Sequence, residues 1–176
     1  MKNILQSDDK TTALNFQARL YVPTDAAERE KGFITAARTY ATLSKKFSDS
    51  LSMTLSEVPQ VNIFTKAGLG TSANKALLEN MVLYEVTVKI LGPVSLYIPI
   101  ALQSAQYQNY QVGAKKNGAL VHSLWTWPEL GYEINDNHTV GLSFRSGDLA
   151  SADLSKLTIG DGLSKGAAQL FWTGTF

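Results

Sequence analysis

The chain has no cysteine. That single absence excludes disulfides, thiol nucleophiles, zinc fingers and iron–sulfur clusters. Charge is scarce as well: 16 Lys and Arg stand against 15 Asp and Glu, a net charge of +1 over 176 residues. So balanced a surface draws neither nucleic acid nor anionic membrane by charge alone, and no specific nucleic-acid partner is expected. Long apolar runs are missing too. No stretch approaches the ~18 residues a membrane-spanning helix needs. The start, Met1–Gln6, lacks the apolar segment of a secretory signal before Asp8 and Asp9, so synthesis in a cytoplasm is the expectation. Only two histidines occur.

Uncharged polar residues take the place of charge. Ser, Thr, Asn and Gln number 47 against 31 charged residues. Hydroxyls and amides suit β-sheets and close contact between subunits better than they suit a freely soluble helical enzyme. A chain of this length buries roughly 70% of its unfolded surface, so one domain needs no metal or disulfide to stand.

Periodicity divides the chain into a polar arm, 1–13, and a single domain, 14–176. Strict alternation begins at Leu14, where Leu14, Phe16, Ala18, Leu20 and Val22 face one way and Asn15, Gln17, Arg19 and Tyr21 the other. Asp25 followed by Glu28 offers a helix start, and Phe33, Ala37, Tyr40 and Phe47 fall near helical spacing. The spacing predicts a helix over 25–47; the competing reading has Gly32 break it, leaving a threonine-rich strand from Phe33 to Leu43. From Leu51 the period returns to two. Strands are expected at 51–56, at 61–65 beyond Pro59, at 81–91, and at 94–102 after a turn at Gly92-Pro93. Further ones follow at 119–127, with an Asn117-Gly118 turn before it, and at 132–134 and 140–144. A last hairpin is expected from 154–159 and 169–176 around Gly160-Asp161-Gly162. About nine or ten strands at this rhythm predict an all-β fold, an antiparallel β-sandwich or jelly roll.

No catalytic motif stands out, and no enzyme, cofactor or metal is expected. The loop 68–75 has glycines and Lys75 but not the spacing of a phosphate loop. His122 and His138 lack the close pairing of a metal strand. Glu129 and Glu133 form a carboxylate pair without an evident cleft. Asp136, Asp148, Asp153 and Asp161 offer loop oxygens without a calcium-loop spacing. The aromatic residues carry more weight. Trp125 and Trp127 lie two apart on a strand and, with Tyr132, either fill a core or interface or form a stacking platform for a sugar. Tyr107 and Tyr110, inside the polar stretch 103–111, suit a subunit contact.

In size and strand rhythm the chain resembles the single-jelly-roll capsid proteins of icosahedral viruses, in particular the small capsid proteins of tailless, membrane-containing phages. The long pair 81–91 and 94–102 and the closing segments 140–144, 154–159 and 169–176 carry that resemblance. It implies a virion structural protein that contacts copies of itself and other coat proteins. Trp125, Trp127, Tyr107 and Tyr110 would then serve interfaces or core. The alternative is a carbohydrate- or receptor-binding β-sandwich using Trp125, Trp127 and Tyr132.

Overall fold

Alternating sequences of this kind must pair, and here they pair with their neighbours in the chain. The computed structural model describes residues 3–30, 32–65, 75–108 and 120–174. Ten strands form one antiparallel sheet: β1 (Asn3–Gln6), β2 (Thr12–Tyr21), β3 (Phe33–Lys46), β4 (Leu51–Phe64), β5 (Lys75–Leu91), β6 (Val94–Gln108), β7 (Leu120–Thr126), β8 (Glu129–Asn135), β9 (His138–Arg145) and β10 (Ala167–Gly174). Among the described residues two short helices complete it, α1 (Ala26–Glu30) and α2 (Ile159–Ser164). The all-β, antiparallel class and the strand number are those expected. The connectivity is a meander: β1 to β6 follow in chain order, and β8, β9 and β10 continue it. No Greek-key exchange of the jelly-roll kind occurs among the described strands.

β6 is long enough to serve two partners. Its first residues, Val94–Tyr97, pair with β8, and Ile100–Gln106 pair with β7. Pro99 sits at the changeover, opposite the Trp127-Pro128 break, where the loss of a backbone donor disturbs the ladder least. It is nevertheless fully buried, and the Thr126 hydroxyl donates to its carbonyl at 2.5 Å. Beyond β9 the chain runs on beside β7: the amides of Ser146 and Leu149 donate to Thr126 and Leu124 carbonyls.

Three expectations are corrected. Within 25–47 only Ala26–Glu30 is helical; Gly32, at φ +78°, ends the turn, and Phe33–Lys46 is strand β3, held by β2 on one side and β4 on the other. Ladder bonds on both edges outweigh the modest helix propensity of its alanines. Pro59 does not divide two strands. β4 runs through it because the β3–β4 pairing passes from Arg38↔Gln60 to Ala41↔Glu57, leaving no ladder partner for the missing amide. The final hairpin is absent: 159–164 is the helix α2, and β10 pairs with β9 instead. The arm is an edge strand, since β1 pairs with β2. The expected turn at Gly92 is present, with φ +53° and Leu91 paired to Val94. The loop 68–74 and the Asn117-Gly118 turn lie outside the described residues.

Register decides which side chains share a face. Phe16 pairs with Ala41, Leu43 with Leu55, Leu55 with Tyr84, Tyr84 with Ile100, and Leu142 with both Leu130 and Leu170. This apolar face is the exposed one. Leu20 is 72% accessible, Leu142 49% and Leu170 86%. On the opposite face lie Ala36, Ser56, Val58, Pro99, Ala101, Ala105 and Ser143, which are buried. A single sheet buries one of its faces by curling around it, so this face forms the inside. Polar side chains bridge the inside from strand to strand. Arg38 donates to Gln60, Gln60 to Asn62 at 2.6 Å, and Asn62 and Gln103 to the two oxygens of Glu79 at 2.6 and 2.9 Å. Tyr97 donates to Glu85, and burial with that carboxylate beside it holds the Tyr97 phenol above its ordinary range. The pattern is inverted relative to an ordinary half-buried sheet: polar inside, apolar outside.

Candidate functional site

Two features of this sheet can do chemistry with a partner, one on each face.

The outer face offers apolar area. Among the described residues the buried apolar side chains are small, Ala36, Val58, Pro99, Ala101, Ala105 and Ala150, while large ones such as Phe16, Leu43, Leu130 and Trp172 stand exposed. Total accessible surface is 11371 Å². A compact monomer of this mass exposes ~8,400 Å², so roughly 3,000 Å² is in excess. At the β8–β9–β10 end the outer face folds into a groove of about 550 Å³, lined by Val94, Leu130, Tyr132, Val140, Leu142 and Leu170. A polar row interrupts the apolar field at mid-strand. Asn80 donates to the Glu57 carboxylate at 3.2 Å, and the Ser104 hydroxyl lies 2.8 Å from His122 Nδ1.

The inner face holds a cleft. β7 delivers Trp125, the break after it delivers Trp127, and β8 begins with Glu129, so three successive alternate positions point the same way. The two indoles are near parallel, 26° apart, with centroids separated by 6.5 Å, about the rise of two strand residues. With Ser143 and Arg145 of β9 and Gln169 of β10 they line a cavity of about 300 Å³. A second cavity of about 330 Å³ shares Trp125 and Arg145 and adds Gln103, Ser123, Ser146 and Asp148. Burial pushes the Glu129 carboxyl above its usual value.

The sequence-derived candidates separate accordingly. Trp125 and Trp127 come together in the inner cleft. Tyr132, one residue beyond Gly131 and three beyond Glu129, falls on the outer face and joins the apolar groove, so it is no part of that platform. Tyr107 lies near the end of β6, and Tyr110 lies outside the described residues. Glu129 is in the cleft, whereas Glu133 pairs with Thr139 further along β8. Asp153 accepts hydrogen bonds from Ser151 and Ser155 of its own loop, which hold its carboxyl down at about 2. Among the described residues, no three His, Asp or Glu side chains gather into a metal-sized group. Arg145 and Gln169 were not anticipated. Both sit at alternate positions of strands that only the β8–β9–β10 pairing brings beside the tryptophans.

No family model, curated protein or solved structure matches the chain. No helix of the described residues is long and apolar enough to cross a membrane.

Proposed function

We propose that the protein is a structural subunit of a self-assembling shell, of the virion coat type its strand rhythm resembles, and that copies of the chain cover each other's outer sheet faces. The observation that carries this reading is the inverted sheet. Apolar side chains are exposed across the β2 to β10 surface, while the buried residues, Ser56, Pro99 and Ser143 among them, lie on the polar face. A standard interface takes about 800 Å² from each partner. Contiguous exposed apolar fields mark interaction surfaces. With a net charge of +1, copies of the chain do not repel one another.

Lipid is the competing cover for an apolar-out sheet. The row of Glu57, Asn80, Ser104 and His122 speaks for protein, because a carboxylate and an imidazole at mid-strand are costly against hydrocarbon and are readily paired in a protein interface. The test is the mass of the detergent-free protein by light scattering across a wide concentration range. The expected result is a multiple of 19.2 kDa that persists at micromolar concentration. A monomer at high concentration, or a chain that stays in solution only in detergent or vesicles, overturns the proposal.

A further inference from the structure

We infer that the inner cleft at Trp125 and Trp127 is a binding site for a neutral saccharide, one pyranose ring resting against the indoles and its hydroxyls meeting Glu129, Arg145 and Gln169. This goes beyond the assembly role, because the cleft opens on the face opposite the proposed subunit contact.

Four observations support it. The aromatic pair is preorganised: its rings are near parallel, and strand β7 and the β8 junction fix both. The apolar C–H face of a pyranose suits the electron-rich face of an indole, and the half-buried Trp125 and Trp127 present such faces to the cleft. Next, the polar side chains around the rings are unspent. Among the described residues the Glu129, Arg145 and Gln169 side chains have no side-chain hydrogen-bond partner, although the neighbouring network of Arg38, Gln60, Asn62 and Glu79 is fully occupied. A carboxylate, a guanidinium and an amide supply the mix of acceptors and donors that vicinal hydroxyls, each both donor and acceptor, can use. The dimensions also fit. Two cavities of about 300 and 330 Å³ meet at Trp125 and Arg145, a cleft in the usual range for a small ligand. Finally, charge selects the ligand class. Arg145 stands with Glu129 and Asp148, so phosphate-bearing ligands that also stack, nucleotides among them, meet net negative charge, and an uncharged sugar does not.

The experiment is a tryptophan-fluorescence titration with methyl glycosides of glucose, galactose, mannose and N-acetylglucosamine and their disaccharides, paired with saturation-transfer NMR. The chain has three tryptophans, and the third, Trp172, stacks on His138 on the outer face. Trp172→Phe therefore removes background without touching the cleft. The expected result is a saturable change with a dissociation constant of about 1 mM or tighter for at least one sugar. It should be unchanged in Trp172→Phe, weakened at least tenfold in Trp127→Ala, and weakened several-fold in Glu129→Gln. If Trp127→Ala fails to fold by circular dichroism, Glu129→Gln and Gln169→Ala carry the comparison. A response that survives these cleft substitutions, or the absence of both fluorescence change and magnetisation transfer across the panel, overturns the inference.

Discussion

Gly141 shows how tightly single positions are set on the inner face. It sits on β9 between Gly131 of β8 and Phe171 of β10, and the Phe171 ring lies across it. A Cβ there would stand 2.4 Å from the Leu130 carbonyl oxygen and 2.5 Å from the ring edge of Phe171. Backbone on one side cannot yield, so the strand itself would have to move. Gly141→Ala is expected to cost about 2 kcal/mol or more, lowering Tm by roughly 4–8 °C at fixed protein concentration. Gly160→Ala is the control, since nothing lies within 4 Å of the added methyl. An equal loss in the two variants would contradict this packing. Glycine, being free of side-chain periodicity, gave no sign in the sequence that position 141 was special. Trp125 and Trp127 were legible, because bulky residues two apart on a strand must share a face.

Elements reveal a different balance. The hairpin of β1 and β2 is short at its outer edge and is held at its turn by Asp9. The Ser7 hydroxyl donates to that carboxylate at 2.5 Å, and the Thr11 amide and hydroxyl at 3.0 and 2.9 Å, while Lys10 takes φ +55°. These bonds, Ser7 first, lower the Asp9 carboxyl from 3.8 to about 2. A depressed carboxyl stabilises the folded turn above its unfolded value, and that contribution fades as pH falls from 3.8 through about 2. Carboxyl NMR should place the Asp9 midpoint near 2, with β1 amides losing exchange protection over the same range, and Asp9→Asn should remove that dependence. A midpoint near 3.8 would show that the turn is open. Segment 25–47 was the harder element to read. Its alanines and spaced aromatics satisfy a helical template and a strand template at once, and what settles it is pairing with β2 and β4 on both edges, which lies outside the segment's own pattern.

At the scale of the molecule, the exposed face can be altered without breaking the sheet. Leu142 and Leu170 are direct cross-strand partners on the outer surface. Replacing them by Lys and Glu respectively, Leu142→Lys with Leu170→Glu, leaves an attractive pair across the ladder and removes the apolar contact. If copies of the chain meet here, the assembly should weaken at least a hundredfold, about 2.8 kcal/mol, with the β-sheet circular dichroism unchanged. Sedimentation of the double variant checks it, and an undiminished assembly would exclude this end of the face from the contact.

The sequence by itself determined the all-β class, the approximate strand number and which side chains travel together. A period of two is enough to say that Leu14, Phe16, Ala18 and Leu20 share a face. It is symmetric, however, and does not say which face the fold encloses. That was decided by the tertiary structure, in which cross-strand hydrogen bonds and curling place Arg38, Gln60, Glu79 and Gln103 inside and leave the leucines outside. The same pairing of β8, β9 and β10 brings Arg145 and Gln169 to the tryptophans and turns Tyr132 away from them. Contacts between residues far apart in the chain carry no local signature, because each strand's own pattern is satisfied by many registers and only the assembled sheet selects one.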